Sequence, residues 1–497
     1  MRRPYLRNDV AGKVTRYNYP ITAFSGIDAD AKEDSLALNY GVYGYNIAVR
    51  NGVLTDGMGI ESPSYDGSHF PETRQNLAAV RSMFVYKHFD YANGVKNDRL
   101  IGFYDDGQVY QGSFLMTRLV PIERMTFTSR HVTFLNYYAD ERDYLCAIGD
   151  NGEMKLYDGF DVTDVSDCPA LSDACVHYGR IYGVVDRATR IYFSAPLDPA
   201  NWNHGLTEGG YIALTDEGGQ VKRIVSFKDS LYIFREYAVY RLVAYADQTE
   251  FTLSKVFTGD NKIYSGSVTV CGDRIVFLAD DGFYSFDGYT CKKVLRNIFP
   301  LIENGENAAA CCFNHRYYIA LKMRTDEKVV GDERETDQYI MTNNAVISYD
   351  LDLGEVSIFR GADVGGFIPY SAENVNKLYV HFNMYYRIGQ VGVITETGRL
   401  FGQSLHKKWV SPRTNFEIIN LDKVLKKIYI RSAAPVKLTA RMENDVEYNL
   451  SASYSAQMVP VNRRADKIGL VIETDADNFA VSGMILEFDL IRSRKDE

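Results

Sequence analysis

Short apolar segments recur along this chain around glycine-containing turns, and this repeat limits the possible folds more than any other feature. Such segments lead into turns at Gly107, Gly152, Gly282, Gly354 and Gly398, and a segment with an aromatic residue follows each turn. Most of these glycines follow Asp or Asn, the pairing that accepts the positive φ angles of tight hairpin turns. The sequence therefore predicts a chain built from antiparallel hairpins.

A second marker gives the period of the repeat. A short polar turn precedes an apolar strand at Val132, Ile181, Leu231, Ile275 and Tyr317, so the unit recurs every 42 to 50 residues. Units of about 45 residues with four short strands are typical of β-propeller blades. An all-β propeller of six to eight blades, with seven as the best fit, is predicted. A β-sandwich or two consecutive barrels remains the alternative.

The same patterns divide the chain into three parts. Residues 1–44 are expected to form an N-terminal arm, residues 45–405 the propeller, and residues 406–497 a small antiparallel β-sandwich. The segment 45–49 is expected to close the ring by joining the last blade. Residues 324–338 form a charged insertion without apolar anchors, which is typical of a solvated loop.

Charge and cysteine content exclude several classes of protein. The net charge is −10, and because residues 400–497 carry +2, the rest of the chain carries −12. The acidic charge of this larger part of the chain argues against binding nucleic acid through its phosphates, although DNA could slide past such a surface. The seven cysteines are irregularly spaced, which favours reduced thiols over disulfides or a zinc site. We expect no secretory signal and no membrane segment.

Candidate catalytic groups are few. Asp105 with Asp106, and Asp280 with Asp281, are paired carboxylates of the kind that glycosidases use. Each pair, however, lies in a hairpin turn, where Asp accepts hydrogen bonds from the backbone. The eight histidines show no metal-binding spacing, and neither a nucleophile elbow nor a phosphate-binding loop is present. The sequence therefore predicts no enzyme activity, no metal and no cofactor.

Three segments carry a resemblance to a known family. The first is Tyr45-Asn46-Ile47 with Gly52-Val53-Leu54 and Gly57-Met58-Gly59. The second, at 190–236, includes Ser194, Asp198-Pro199, Trp202 and Leu231-Tyr232-Ile233-Phe234. The third begins at Trp409 and runs to Ile428. Together they resemble the β-propeller tail-nozzle and packaged-DNA-stabilisation (tail hub) proteins of short-tailed bacteriophages and related prophages.

The resemblance implies a structural virion protein in the phage tail, assembled in the cytoplasm of the host bacterium. Such a protein would form a homo-oligomeric ring, six-fold by the resemblance, that retains packaged DNA and forms its exit conduit. Its expected partners are tail adaptor or portal-proximal proteins and tail fibre or needle proteins, with DNA passing non-specifically through the lumen. The alternatives are a carbohydrate-binding or glycan-degrading phage propeller and a monomeric cellular scaffold.

Candidate subunit or adaptor contacts follow from these expectations. The basic groups of the C-terminal part form either a solvated face or a surface complementary to the acidic propeller of a neighbouring subunit. Trp202 is expected to pack over a blade edge, with a sugar-stacking platform as the alternative. The candidate contact residues are Trp202, Lys407, Lys408, Trp409, Arg413, Arg463 and Arg464.

Overall fold

The structure is a computed structural model. It describes residues 15–65, 68–69, 79–91, 93–114, 119–245, 247–325, 341–372, 375–383, 391–418 and 421–492. Most of the charged insertion and the first fourteen residues of the expected arm lie outside these ranges. Within them the fold is all-β and propeller-like, with three single 3-10 turns at Glu33–Ser35, Gln248–Glu250 and Phe299–Leu301 and no α-helix. No helix in the described ranges is long and apolar enough to cross a membrane.

Seven short strands precede the first sheet of the repeat. They are β1 (Thr15–Ile21), β2 (Tyr43–Tyr45), β3 (Ile47–Arg50), β4 (Val53–Asp56), β5 (Gly59–Glu61), β6 (Ser64–Tyr65) and β7 (Ser68–His69).

Six four-stranded antiparallel sheets then follow one another along the chain. Sheet 1 contains β8 (Val80–Tyr86), β11 (Arg99–Tyr104), β12 (Gln108–Ser113) and β13 (Val120–Thr126), with the hairpin β9 (Phe89–Asp90) and β10 (Val95–Lys96) inserted after its first strand. Sheet 2 contains β14 (Val132–Ala139), β15 (Arg142–Gly149), β16 (Met154–Tyr157) and β17 (Val162–Val165). Sheet 3 contains β18 (Asp173–His177), β19 (Arg180–Val184), β20 (Arg190–Phe193) and β21 (Gly210–Ala213).

The next three sheets repeat the same plan. Sheet 4 contains β22 (Val221–Phe227), β23 (Ser230–Arg235), β24 (Ala238–Val243) and β25 (Thr252–Thr258). Sheet 5 contains β26 (Ile263–Cys271), β27 (Arg274–Ala279), β28 (Gly282–Phe286) and β29 (Cys291–Val294). Sheet 6 contains β30 (Ile302–Phe313), β31 (Arg316–Met323), β32 (Ala345–Asp350) and β33 (Val356–Arg360).

Sheet 7 combines strands from two distant parts of the chain. It contains β34 (Val364–Ala372), β35 (Val375–Phe382) and β36 (Val391–Thr395), then β5, and finally β37 (Arg399–Leu400) and β38 (Gln403–Ser404). The first strands of successive sheets contact one another, and β34 of sheet 7 contacts β8 of sheet 1. The sheets therefore form a closed cycle.

The closing strand differs from the one predicted. We expected residues 45–49 to join the last sheet, but β5 pairs with β36 instead, with Ile60 opposite Ile394. Tyr45 pairs with Lys408, and β3 forms a hairpin with β4. Ile60 is fully buried in the core between sheets 6 and 7, whereas Tyr45 is buried in the core of sheets 5 and 6 and Ile47 in the core shared by the C-terminal strands. Burial of the β5 side chains explains why this segment fills the position.

The C-terminal strands form two further sheets that the N-terminal segment completes. These strands are β39 (Lys407–Val410), β40 (Leu421–Ser432), β41 (Val436–Arg441), β42 (Val446–Leu450), β43 (Ser453–Ala465), β44 (Gly469–Thr474) and β45 (Ala480–Arg492). Sheet 8 has the order β3-β4-β45-β40-β43, with β1 also paired to β45, and sheet 9 has the order β2-β39-β44-β41-β42. Side chains of both sheets share one hydrophobic core. We call sheets 8 and 9 the C-terminal unit, and β1 and β2 of the expected N-terminal arm pair within it.

The hairpin chemistry predicted from the sequence is confirmed. Gly107, Gly152, Gly282, Gly354 and Gly398 all have positive φ angles. These angles are costly for residues with a Cβ atom, so the turn glycines fix where each hairpin reverses. All seven cysteines are free thiols.

Candidate interaction surfaces

Three of the candidate contact residues lie inside the molecule. The Trp202 side chain is buried in the hydrophobic core between sheets 2 and 3, together with Leu171 and Ile181. Trp409 is 2% exposed and packs edge-on against Phe24, with ring centroids 5.2 Å apart. Lys407 is fully buried. None of these three side chains presents a surface to another subunit.

The other four candidates lie nearer the surface of the C-terminal unit. Lys408 Nζ is 3.2 Å from Glu473 Oε1. The backbone N–H of Arg413 donates to Glu33 Oε2 at 2.8 Å, and its guanidinium extends toward Asp445. Arg463 is exposed and Arg464 half-buried on β43, the edge strand of sheet 8. Their role as contacts stays a prediction.

A buried asparagine joins the C-terminal unit to sheet 6. Asn46 lies between β2 and β3, is fully buried, and has a φ angle of 58°. Its Nδ2 donates to the carbonyls of Arg360 (3.0 Å) and His406 (2.8 Å), and its Oδ1 accepts from the Arg360 N–H (2.8 Å). One amide thus satisfies backbone groups on both sides of the junction, which fixes their relative position.

A charged cluster lies beside this asparagine. His406 Nδ1 is 2.7 Å from Asp475 Oδ1, and its Nε2 is 3.8 Å from Glu473 Oε1. The carboxylates of Glu473 and Asp475 raise the pKa of His406 above its ordinary value. His406 and Lys408 in turn lower the pKa of Glu473 to about 2. The charged cluster joins the segment after sheet 7 to sheet 9 by electrostatic contacts, in addition to the hydrogen bonds of Asn46.

The carboxylates of the paired aspartates accept hydrogen bonds within or next to their own turns. Asp105 accepts from the Ala79 N–H at 2.8 Å, and Asp106 accepts from the Gln108 N–H at 2.9 Å. Asp280 accepts from the hydroxyl of Tyr264, and Asp281 from Lys293 Nζ at 2.6 Å. These contacts agree with a turn-stabilising role. In the described ranges no group of three or more His, Cys, Asp or Glu residues could hold a metal ion.

The strand order places two sets of turns on one face of the cycle. The first strands of sheets 3 and 4 run in the same direction, as two side-chain contacts show. Asp173, at the start of one strand, accepts from the Ile224 N–H, and His177 Nδ1, at its end, lies 2.9 Å from Ser226 Oγ further along the other strand. In an antiparallel sheet, the turns after the first and third strands lie at the same end. We call the end of sheets 1–7 that carries these turns the loop face.

Exposed apolar side chains concentrate on the loop face. Among the described residues from 79 to 383, all exposed large apolar side chains but one lie within two residues of a loop-face connection. They are Phe89, Tyr91, Val95, Val120, Tyr138, Phe160, Tyr178, Leu197, Leu206, Tyr211, Tyr245, Tyr289 and Leu353. The exception, Tyr237, lies at the opposite end. Clustered exposed aromatic residues mark interaction surfaces in soluble proteins.

Tyr178, Tyr245 and Tyr289 lie on this face in sheets 3, 4 and 5, and we call them the tyrosine cluster. Tyr178 and Tyr245 meet edge to face at 5.3 Å, and the Tyr178 hydroxyl donates to Asp229 Oδ1 at 3.2 Å. Tyr289, 77% exposed, has the guanidinium of Arg241 5.8 Å from its ring centroid. Tyr178 and Tyr245 therefore present their rings together, with the Asp229 carboxylate beside them.

The predicted contact residues do not include this surface, although the sequence carries a signal for it. Asp158-Gly159-Phe160 and Asp287-Gly288-Tyr289 occupy the same turn in sheets 2 and 5. In both, the Asp side chain accepts from the backbone N–H groups two and three residues later, and the aromatic residue after the glycine is exposed. A repeated Asp-Gly-aromatic triplet at a turn thus predicts an outward ring.

Comparison with known proteins adds little to this picture. No family model matches the chain, and no curated protein matches it. Among solved structures, the crystal structure of Raptor from Chaetomium thermophilum is similar over 64% of this chain and 28% of that chain, with 11% sequence identity and a TM-score of 0.42. The aligned part is therefore less than a third of Raptor, and a likeness at this level carries no argument.

Proposed function

We propose that this chain is a structural subunit of a bacteriophage tail, a ring-forming nozzle or hub component that retains packaged DNA and then forms its exit conduit. The observation that carries the proposal is the rigid junction at Asn46, where one buried side chain bonds backbone groups of sheet 6 and of the C-terminal unit. A conduit subunit needs a rigid body rather than a mobile active site. The family resemblance supplies the setting.

The proposal includes a finer description of the fold. The seven sheets are the blades of one propeller, supported by the contact between β34 and β8 that completes the cycle. Sheets 8 and 9 are a β-sandwich, supported by their common core around Leu425, Leu438 and Phe488. The N-terminal strands would lock this sandwich to the propeller from the start of the chain.

Ring assembly is the second part of the proposal. Six-fold symmetry follows from the resemblance alone, with tail adaptor or portal-proximal proteins on one side and fibre or needle proteins on the other. The acidic body suits a conduit because DNA phosphates bind only where cationic side chains neutralise them.

Quantitative mass spectrometry of density-purified particles tests the function. The expected result is a fixed small-integer ratio to the portal protein, such as about half the portal's copy number. A chain absent from intact particles but present free in the lysate would overturn the proposal.

A carbohydrate-binding propeller is the second candidate. The exposed rings of Tyr178, Tyr245 and Tyr289 favour it, because aromatic faces beside a carboxylate also suit sugars. A glycan array with purified protein, and turnover of soluble glycan by the wild type and by Asp106→Asn and Asp281→Asn variants, separates the two candidates. Glycan binding lost in a Tyr245→Ala variant would favour the second.

A further inference from the structure

A row of three hydroxyl groups crosses sheet 6 on the face turned toward sheet 7. Tyr318 lies opposite Ser348, and Ser348 lies opposite Ser357, on three adjacent strands. Val346 and Phe359, two residues away along two of these strands, belong to the core between sheets 6 and 7, and side chains two residues apart in a strand point to the same face. We call Tyr318, Ser348 and Ser357 the hydroxyl row. All three residues are buried.

The hydroxyl row lines a cavity of about 220 Å³ at the place where β3 of the C-terminal unit meets sheets 6 and 7. Apolar side chains from β3, sheet 7 and the segment before β5 complete much of the lining, among them Val49, Met58, Leu378 and Ile394. The cavity is smaller than the sites that hold drug-sized ligands, which are roughly 300–1,000 Å³. Its lining therefore suits a small molecule that has both polar groups and an apolar side.

Four charged side chains also line the cavity, and each has a partner of opposite sign. Arg50 Nη2 is 3.0 Å from Glu396 Oε2, which joins β3 to the end of β36. Arg316 Nη2 is 3.5 Å from Glu355 Oε2 and 3.0 Å from Asp350 Oδ2. The side chains of Arg50 and Glu396 are 42% and 72% exposed, so the cavity reaches the protein surface at this rim. Because the charges are paired, the lining favours a neutral ligand over an ion.

One hydroxyl of the row is left without a hydrogen bond in the described part of the chain. Ser357 is 9% exposed, and its buried Oγ has no hydrogen-bond partner among the described residues. A buried hydroxyl without a partner is unfavourable, so a ligand that bonds to it would remove this penalty. Burial raises the pKa of Tyr318 to about 12, so the second hydroxyl keeps its proton at neutral pH and can donate.

We propose that this cavity binds a small neutral polyhydroxyl molecule, either a single sugar ring or a polyol. Hydroxyl groups donate and accept hydrogen bonds, so those of the ligand match the serine and tyrosine hydroxyls, the guanidiniums and the carboxylates of the lining. The C–H face of a sugar ring is apolar and packs on Met58 and Leu378. The cavity lies apart from the tyrosine cluster, and the proposal does not depend on the function in a phage tail.

Saturation-transfer difference NMR on the purified full-length chain tests the site. The probes are glycerol, glucose, galactose and N-acetylglucosamine, with sodium acetate as an anionic comparison. At least one of the neutral probes should bind, and calorimetry then gives its affinity. A sugar that binds more tightly than glycerol identifies a sugar-ring site, and equal affinities identify a polyol site. Binding of acetate alone, or of no probe at its highest soluble concentration, would overturn the proposal.

Ser357→Ala places the bound probe in the cavity. Loss of one hydrogen bond should weaken binding by about 5-fold to 10-fold. The free variant should unfold at about the same temperature as wild type, because the hydroxyl that it lacks has no partner in the free protein. A hydroxyl with a merely structural role would show the reverse pattern. Ser285→Ala, on half-buried β28 of sheet 5 and outside the cavity, is the matched control and should bind like wild type.

Arg50→Ala is a second variant for the case that Ser357→Ala does not fold. It changes a partly exposed residue at the rim, so the fold should persist while the affinity falls by a similar factor. Affinities unchanged in Ser357→Ala and Arg50→Ala would overturn the assignment to this cavity. Affinity lost only in Tyr245→Ala would do the same and would place the probe at the tyrosine cluster. Neither outcome changes the expected ratio in purified particles, so this proposal and the tail function fail separately.

Discussion

The Nζ of Lys407, on β39 of sheet 9, lies 3.3 Å from Oδ1 of Asp56 at the end of β4 in sheet 8. Lys407 also donates to the carbonyl of Ala476 at 2.9 Å, and Asp56 accepts from the Phe479 N–H at 3.1 Å. Burial raises the pKa of Asp56 even though Lys407 opposes this shift. The Lys407–Asp56 ion pair therefore connects β4 in sheet 8 with β39 in sheet 9.

Removing this buried cation should destabilise the C-terminal unit. Lys407→Met keeps the aliphatic packing but leaves Asp56 buried without its partner, so we expect a loss of about 3–5 kcal/mol in the free energy of unfolding. Denaturant unfolding measures it. Lys437→Met, which breaks an exposed pair with Glu447, is the control and should cost about 0–1 kcal/mol. Asp56→Asn added to Lys407→Met should recover part of the loss, and a Lys407→Met protein as stable as wild type would contradict the assignment.

The junction asparagine should tolerate no change. Asn46→Ala removes three buried hydrogen bonds and leaves their backbone partners unsatisfied, at a cost of roughly 2–4 kcal/mol. Hydrogen exchange should speed up in β33 and β39, which flank it, before it does in sheets 2 to 4. Asn39→Ala, which removes one half-buried hydrogen bond to Ser25, serves as the comparison. Uniform exchange across the whole chain in Asn46→Ala would show that the residue does not act as a junction.

The charged cluster around His406 should make the free energy of unfolding depend on pH. Since the folded-state pKa of His406 is raised above 6.5, its contribution is complete below pH 6.5 and is lost as pH rises through the folded value. Since the pKa of Glu473 is lowered from 4.5 to about 2, its contribution is complete above pH 4.5 and lost as pH falls toward 2. Lys408 and Lys437 also face Glu473.

His406→Gln tests that dependence. The stability difference from wild type should be up to about 1 kcal/mol between pH 5 and 6.5 and should shrink toward pH 9. Thermal unfolding at matched ionic strength across this range measures it. A difference that does not change with pH would rule out protonated His406 as its source.

Close backbone packing between sheets 5 and 6 should forbid a side chain at Gly266. A methyl group there would overlap the carbonyl oxygen of Ala308 on β30. Gly266→Ala must therefore push the two first strands apart, and a loss of about 1–3 kcal/mol is expected. Gly26→Ala, where a methyl group meets nothing within 4 Å, is the matched control. Equal melting temperatures for the two variants would contradict the close approach.

The hairpins follow from the sequence because their determinants are local. The residues Asp150-Asn151-Gly152 specify a turn within four residues. The strands β15 and β16 on either side of this turn pair with each other. The spacing of roughly 45 residues between repeats predicts that the sheets follow one another along the chain. Local turn chemistry and periodicity were thus enough to predict an all-β, propeller-like chain, and the change of pattern after residue 405 led to the predicted division there.

The contacts that complete the molecule depend on distant residues. No local pattern distinguishes Gly59–Glu61 from residues 45–49 as the closing strand, because both are short. Gly59–Glu61 takes the position in the tertiary structure, where Ile60 is buried beside sheet 7. Lys407 and Lys408 look alike in the sequence, yet Lys407 is buried because Asp56, far along the chain, meets it there. The sequence determined the repeating hairpins, since each forms from neighbouring residues. Only the tertiary structure decided closure, the buried ion pair and the shared face of exposed rings, since each requires segments that burial and pairing bring together from far apart.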